Sequence, residues 1–205
     1  MIVQAKPMTV AEFLRLPNDG NRHELVRGEA RVMPPPKGDH GLVETALLAR
    51  IDRYLDDRAT AMGWRLDQGL DARSRLVGFV AGGEFGVQFA VPDDPHQIRG
   101  ADGVYVPAEQ LARVPWTGVD YFPAVPALVV EVVSSSESAD DVAEKVQDYL
   151  AGGAHRVWCV FPQRRFVQIY DPDKAPRLVR AGENLTDEDL LPGFTLPLRL
   201  IFPGG

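Results

Sequence analysis

The chain has few of the residues that mark secreted, membrane or zinc-binding proteins. Its single cysteine, Cys159, cannot form an internal disulfide, and the apolar run VWCVF around it predicts an inert, buried thiol rather than a nucleophile. One cysteine and histidines without paired ligand spacing argue against a zinc site. The apolar runs are far shorter than the roughly 20 residues of a membrane span. The start MIVQAKPMTVAEF also lacks the features of a secretory signal. We therefore expect a cytoplasmic protein with no membrane segment.

Positive charge is also scarce. The formal net charge is −7, and the lysines are Lys6, Lys37, Lys145 and Lys174. This balance argues against a broad phosphate-binding surface. It is compatible with a carboxylate site for divalent cations, because such a site needs negative charge locally and can coexist with a basic rim. The position of each lysine is therefore informative.

The composition indicates one folded domain. A length of 205 residues with 45% apolar and 25% charged residues is typical of a single globular domain. We predict that this domain spans 1–205, with a loose tail at 203–205.

The first part of the chain contains helix and hairpin signals. Thr9 and Glu12 have the spacing of a capping box, which predicts a short helix. The runs HELVRG and EARVM predict a hairpin around Arg27-Gly28, with an exit stiffened by Pro34, Pro35 and Pro36. Apolar residues at spacings of three and four predict a long helix over 40–58.

The middle and last parts predict most of the sheet. The Gly-rich stretch 64–91 predicts two strands with glycines at turns or bulges, and 92–100 predicts a polar loop. ADGVYV predicts a strand and AEQLARVP a short helical connector. The strands ALVVEVVS and RVWCVF enclose the capped helix SESADDVAEKVQDYLAGG, a unit that normally joins parallel strands. RRFVQIYDP predicts an antiparallel neighbour. The expected fold class is therefore α/β (α+β), a mixed central β-sheet flanked by helices.

Glu131 is the first chemical anomaly in this pattern. It lies in a predicted strand among Val129, Val130, Val132 and Val133, so its carboxylate should be drawn away from bulk water. A buried carboxylate must be paired, protonated or bound to a metal. A structural ion pair or an exposed strand end are the alternatives to a functional site.

Lys145 is the matching anomaly on the next predicted helix. It falls on the apolar face, whereas its neighbours Glu144, Gln147 and Asp148 are expected to face solvent. Lys145 should therefore point inward and meet Glu131 where the helix packs on the sheet. The alternative is a stem that lies along apolar surface with its ammonium in water.

Asp102, which opens the strand ADGVYV, supplies a second carboxylate. Two carboxylates beside an ammonium form a known device for phosphodiester hydrolysis. Asp102 and Glu131 would bind Mg²⁺ or Mn²⁺, and Lys145 would orient the attacking water or stabilise the transition state. Hard oxygen ligands favour these ions. The three residues are the predicted catalytic core.

The order of the motifs resembles one family over nearly the whole chain. The motifs are HELVRGEARVMPPP, a His at 40 opening a helix, GADGVYV, PALVVEVVS, an EKVQDYLAGG helix with RVWCVF, and LLPGFTLPL. They look like the Uma-two family of restriction endonucleases, assigned to the PD-(D/E)XK nuclease superfamily. The resemblance implies a restriction-endonuclease-like core in which Asp102 and Glu131 are the acidic residues of the first and second motifs. Val133 stands where the superfamily usually has its lysine, and Lys145 takes that role from the helix, as this family permits.

The same resemblance implies three further site residues. Glu24 would be an additional acidic residue near the site, His40 an accessory residue, and Tyr149 part of the pocket lining. For Glu24 the alternative is a solvated hairpin carboxylate. For His40 the alternative is a side chain that caps its helix or faces water.

These residues predict a metal-dependent DNA endonuclease, with DNA as its partner and Mg²⁺ or Mn²⁺ as its cofactor. One alternative is a non-catalytic DNA-binding or protein-interaction module on the same fold, which the acidic charge balance favours and the intact trio opposes. Another is hydrolysis of a different phosphoester at the same site. A homodimer is expected, because two sites related by a two-fold axis are the simplest way to cut both strands of a duplex.

Overall fold

An eight-stranded mixed β-sheet organises the chain, which the computed structural model describes over residues 6–17, 19–33 and 38–204. The strands of this sheet are β1 (Arg22–Val26), β2 (Glu29–Met33), β3 (Phe79–Val91), β4 (Asp94–Val106), β5 (Leu128–Val132), β6 (Arg156–Phe161), β7 (Phe166–Tyr170) and β8 (Arg177–Arg180). Their order is β2-β1-β4-β5-β6-β7-β8, and β3 pairs with β4. A separate antiparallel pair comprises β9 (Asn184–Asp187) and β10 (Leu191–Pro197).

Five α-helices accompany the described strands: α1 (Val10–Phe13), α2 (Gly38–Ala61), α3 (Gly69–Val77), α4 (Ala108–Leu111) and α5 (Ala139–Ala151). Within the described ranges, no helix combines the length and the apolar character needed to cross a lipid bilayer. The predicted fold class, a mixed sheet flanked by helices, is confirmed.

Several local predictions are also confirmed. Thr9 caps α1 in a full capping box with Glu12, and β1 and β2 form the expected hairpin. Its turn residues Arg27 and Gly28 have φ of 50° and 76°, the left-handed conformation that a tight hairpin turn requires. The prolines 34–36 lie outside the described residues. At the other end, Pro203 and Gly204 are exposed, and the Gly204 carbonyl accepts a hydrogen bond of 3.1 Å from Arg165 Nη1.

The strand–helix–strand unit places the catalytic candidates. β5 and β6 pair in parallel, and α5 connects them. Val142 and Val146 of α5 pack in a core with Val129, whereas Val130 and Val132 belong to the core formed with α2. Because successive strand residues face opposite sides of a sheet, Glu131 shares the α5 side with Val129.

The prediction of two strands over 64–91 is wrong in its first half. Residues 69–77 form α3, and one long strand, β3, follows. α3 is held by tertiary contacts that local composition does not reveal: its Arg73 is buried and forms ion pairs with Asp52 (2.7 Å) and Asp56 (2.5 Å) of α2. The expected glycine-associated irregularity does occur, as a register shift after Gly82 in β3.

The predicted polar loop at 92–100 is also wrong. Val91 pairs directly with Asp94, so the turn is short and residues 94–100 belong to β4. The polar residues Gln97 and Arg99 are buried in this strand. The stretch resembled a loop because the carboxylates that neutralise the buried Arg99, those of Glu24 and Asp148, come from distant parts of the chain.

Candidate active site

Glu131 lies at the centre of the site. Its side chain is buried on the α5 side of β5, and its Oε2 accepts a hydrogen bond of 2.9 Å from Lys145 Nζ. Burial raises the pKa of Glu131 to about 7, which the Lys145 ammonium opposes and the Asp102 charge reinforces. Its Oε1 is buried and accepts no hydrogen bond of regular geometry from a described residue, and the Tyr149 hydroxyl, which also lacks such a bond, interacts with the Glu131 carboxylate. Glu131 therefore keeps one ligand atom available.

Lys145 points inward, as its position on the helix predicted. Ser138 caps α5 in a capping box with Asp141, which fixes the start of the helix that carries the lysine. Lys145 Nζ donates to Glu131 and also to Glu137 Oε1 at 3.1 Å. Burial alone would lower the pKa of Lys145, but these two carboxylates raise it above its usual value, so the amine carries a charge. We call Glu131, Lys145 and Glu137 the Lys145 cluster.

Asp102 lies beside Glu131 across the paired strands. Gly103 of β4 is opposite Val130 of β5, and one further step of this register brings Asp102 to Glu131. Asp102 Oδ2 accepts a hydrogen bond of 2.7 Å from the Val132 N–H, so the carboxylate is fastened to β5 itself. The three predicted core residues thus meet in one place.

His40 approaches Asp102 from α2. Its Nε2 lies 3.1 Å from Asp102 Oδ2. Burial alone would lower the pKa of His40, but Asp102 and then Glu44 raise it above the usual value. A helix-capping or water-facing role, the alternative considered for this residue, does not describe a buried side chain in contact with Asp102.

Two glycines allow α2 to lie this close. Gly82 and Gly103 are opposite each other in β3 and β4. A Cβ at Gly82 would lie 2.2 Å from a Leu48 methyl group, and one at Gly103 would lie 2.6 Å from the other methyl group of Leu48. A side chain at either position would have to displace the Leu48 side chain of α2.

Glu24 is buried rather than solvated, which excludes the hairpin-surface alternative. Its Oε1 accepts from the Gly100 N–H at 3.0 Å and its Oε2 accepts from Arg99 Nη1 at 3.3 Å. Arg99 also donates to Asp148 through Nε (3.1 Å) and Nη2. We call Glu24, Arg99 and Asp148 the Arg99 cluster; it joins β1, β4 and α5 immediately next to the Lys145 cluster.

The solvent-facing position expected for Asp148 is wrong. The side chain is buried because the β1–β2 hairpin packs against this part of α5 and supplies Arg27, whose Nη2 lies 3.0 Å from Asp148 Oδ1. Tyr149, next along the helix, is fully buried and stacks on Phe89 at 5.7 Å between ring centroids. Burial, with the Glu131 and Glu24 carboxylates nearby, raises its pKa well above the usual value.

Four residues of the site region escaped the sequence analysis: Glu44, Arg99, Glu137 and Asp148. Glu44 could have been found from its i, i+4 spacing to His40 on the predicted helix. Glu137 directly precedes the N-cap Ser138 and is eight residues from Lys145. For Arg99 and Asp148 the sequence has no comparable signal, because their partners come from separate segments.

A surface cleft of about 320 Å³ adjoins the Lys145 cluster at the end of β5 and β6. Ser134 and Glu137 line one side, and Gln163 and Arg164 line the other. Glu137 separates the cleft from Lys145, because its Oε2 accepts from the Ser134 N–H at 2.7 Å while its Oε1 accepts from the lysine. The cleft provides an approach from solvent at the carboxyl ends of two parallel strands, where ligands of α/β sheets commonly bind.

A mixed sheet that brings two carboxylates and a lysine together on adjacent strands and a crossover helix defines a nuclease-like domain. The chain belongs to the Uma2 family, described as putative restriction endonuclease, whose family model matches residues 10–199. It is also similar to a crystal structure from Anabaena variabilis described as a putative nuclease belonging to DUF820. The TM-score is 0.74 at 18% identity, and the match covers 96% of this chain and 98% of that one. At this identity the likeness establishes the fold. No curated protein matches the chain significantly.

Proposed function

We propose that the chain is a metal-dependent DNA endonuclease in which Asp102 and Glu131 hold Mg²⁺ or Mn²⁺ and Lys145 assists the attacking water. The observation that carries the proposal is the convergence of these three side chains, with Glu131 Oε1 buried and unpaired among the described residues. A buried carboxylate oxygen without a donor is stabilised by a cation. The donor set is oxygen from two carboxylates, which suits Mg²⁺ and Mn²⁺.

Each residue has a distinct task in this proposal. A divalent ion at the carboxylates supplies charge neutralisation for the phosphate and lowers the pKa of a water. Lys145, kept protonated by Glu131 and Glu137, is positioned to orient the water or to stabilise negative charge that develops on the phosphate. Glu24 contributes negative charge from the adjacent Arg99 cluster, and His40 and Tyr149 position Asp102 and enclose the pocket.

Cleavage of supercoiled plasmid in Mg²⁺ or Mn²⁺ tests the proposal. We expect Glu131→Gln, Asp102→Asn and Lys145→Met each to lower the cleavage rate roughly 100-fold or more, because each removes a group that acts on the developing charge. The exposed residues Glu29 and Lys174 supply matched controls, Glu29→Gln and Lys174→Met, which should cleave at the wild-type rate.

Substrate form is part of the same experiment. Single-stranded, duplex and structured DNA are compared in both ions, with each variant purified in the same way as the wild type. The proposal is wrong if the folded wild type cleaves none of them, or if the three site variants match the controls.

A second candidate is a non-catalytic DNA-binding or protein-interaction module. The pairing of Lys145 with two carboxylates favours it, because an amine held in this way can serve as a structural ion pair. Calorimetric titration with Mn²⁺ separates the two candidates: a module would show either no binding or binding that Asp102→Ala combined with Glu131→Ala does not weaken.

We also propose that the nuclease acts as a homodimer, since two active sites related by a two-fold axis can cut both strands of a duplex. Sedimentation at micromolar concentration should then give a mass of about twice the 22.6 kDa of the chain. A purely monomeric species would contradict this.

A further inference from the structure

A second group of possible cation ligands lies on the α2 side of Asp102. The ligand atoms of His40, Glu44 and Asp102 all lie within 4.8 Å of one another. His40 and Glu44 are one helical turn apart on α2, the spacing at which two side chains of a helix can reach a common ion. This group shares Asp102 with the pair Asp102 and Glu131, but its other two members, His40 and Glu44, come from α2.

The imidazole of His40 has one nitrogen without a hydrogen-bond partner. An ionised carboxylate only accepts hydrogen bonds, so the contact with Asp102 Oδ2 places a proton on His40 Nε2. Nδ1 is the other ring nitrogen. It is buried, it has no hydrogen-bond partner among the described residues, and the side chain that carries it is 10% exposed. In a neutral imidazole Nδ1 is a lone-pair donor that can bind a metal.

Glu44 supplies an oxygen at a suitable distance from this nitrogen. Glu44 Oε2 lies 3.8 Å from His40 Nδ1, which is too long for a hydrogen bond. Two ligand atoms that each lie about 2.1 Å from one ion are roughly 3 to 4 Å apart. The other oxygen, Oε1, accepts from the Gly83 N–H at 2.7 Å, which holds the carboxylate in this orientation.

Asp102 gives the group the further feature of a metal-binding histidine. Histidines that bind metals commonly donate their other ring N–H to a carboxylate, which fixes the ring and its tautomer. The contact of His40 Nε2 with Asp102 has this arrangement. We propose that His40 Nδ1 and Glu44 Oε2 form a second cation site, with Asp102 orienting the imidazole, and that its nitrogen ligand selects Mn²⁺, Co²⁺ or Zn²⁺ over Mg²⁺.

The preference follows from ligand chemistry. Mg²⁺ binds oxygen ligands and retains several waters, whereas imidazole suits first-row transition ions. The site does not require the chain to be a nuclease, so it can be tested independently of the proposed function.

The test is Co²⁺ binding to the untagged protein, measured by calorimetry and by visible absorption. Unfolding curves establish that each variant is folded. We expect His40→Gln and Glu44→Gln to weaken Co²⁺ binding at least tenfold. Because Co²⁺ can also bind at Asp102 and Glu131, the same two substitutions are repeated in Glu131→Gln protein, where each should again weaken Co²⁺ binding at least tenfold. His96→Gln, which replaces an exposed histidine, should leave the binding within about twofold. A tenfold excess of Mg²⁺ should not displace the Co²⁺.

Three outcomes would overturn the site. If Glu131→Gln abolishes Co²⁺ binding while His40→Gln preserves it, the ion binds at Asp102 and Glu131, and the proposed nuclease function survives without the second site. If all variants bind alike, the ion binds elsewhere. If the folded wild type binds no Co²⁺, the second site does not exist.

A second measurement remains decisive if the His40 variant does not fold. In Glu131→Gln protein, Mn²⁺ below one equivalent should broaden the ring resonances of His40 while those of the exposed His96 and His155 stay sharp, and adding Glu44→Gln should abolish the broadening of His40. Equal broadening of all three would contradict the proposal.

Discussion

The Arg99 cluster and the Lys145 cluster are both buried and lie side by side on α5, yet they differ in how fully their charges are paired. In the Arg99 cluster both oxygens of Glu24 and both oxygens of Asp148 accept hydrogen bonds. In the Lys145 cluster Glu131 has one oxygen without a donor from the described residues, and its pKa is raised to about 7. A saturated buried cluster stabilises the arrangement of its elements, whereas an unsaturated one retains the capacity to bind a ligand.

The Arg99 cluster therefore positions the elements of the site, and the Lys145 cluster contains the groups that can bind a ligand. The Arg99 cluster ties β1 and β4 to α5 at Asp148, three residues from Lys145. This fixes the rotation of the helix that aims the lysine at Glu131. A site with destabilising features requires such support from its surroundings, because unpaired buried charge lowers stability.

The largest expected effect comes from breaking the saturated cluster. Asp148→Ala should lower the free energy of unfolding by about 3–5 kcal/mol, because it leaves the buried Arg99 guanidinium with one carboxylate fewer. Urea unfolding at pH 7 measures this. Asp57→Ala, at an exposed position of α2, is the control and should change the free energy by about 0.5 kcal/mol or less. A loss below about 1 kcal/mol for Asp148→Ala would mean that the Arg99 cluster stabilises the fold no more than an exposed ion pair does. The difference between the two clusters would then disappear.

A smaller change, a gain in stability relative to wild type, is expected when the Glu131 carboxylate of the Lys145 cluster is removed. The pKa of Glu131 is raised in the folded protein from its ordinary value near 4.5 to about 7, so the folded state holds a proton more tightly than the unfolded state. The stability linked to this proton is fully present below about pH 4.5 and is lost as the pH rises to about 7. Glu131→Gln has no such titration, so its stability relative to wild type should increase across that window.

Urea unfolding in chelator at intervals between pH 4.5 and 7.5 measures this difference. The metal-free protein is needed because a bound cation would itself stabilise the ionised carboxylate. The free energy of unfolding of Glu29→Gln, which removes an exposed carboxylate, should vary with pH in parallel with that of the wild type. Parallel curves for Glu131→Gln as well would mean that Glu131 titrates normally, and that the cluster is paired as fully as its neighbour.

The contrast between the clusters also explains what the sequence could predict. Glu131 and Lys145 were predicted because each interrupts a regular apolar pattern, a strand in one case and a helix face in the other, and both patterns are local. The parallel pairing of β5 and β6 followed from the same local patterns, because a crossover helix separates the two strands.

Arg99 and Asp148 could not be predicted in this way. Arg99 lies in a polar stretch that resembles a loop, and it becomes a buried strand residue only because Glu24 from β1 and Asp148 from α5 neutralise it. Asp148 appeared solvent-facing because the helix pattern contains no information about the hairpin that covers it. Local periodicity thus reveals a charged side chain at an apolar position of a helix or strand. Ion pairs between distant segments can be identified only from the tertiary structure.

The smallest expected effect separates the buried centre of the Arg99 cluster from its rim. Glu144 connects Arg27 (2.7 Å) and Arg31 (2.6 Å) at the rim of the cluster and lies 3.7 Å from Arg99 Nη2. The side chains of Glu144, Arg27 and Arg31 are about one-third exposed. Solvent screening makes such pairs weak, so Glu144→Gln should lower the free energy of unfolding by about 1 kcal/mol or less. The loss should shrink further in 1 M salt, whereas that of Asp148→Ala should not, because buried pairs are screened much less. A large loss of unfolding free energy for Glu144→Gln that does not depend on salt would mean that Arg27 and Arg31 of the hairpin belong to the Arg99 cluster. The whole hairpin would then help to position Lys145.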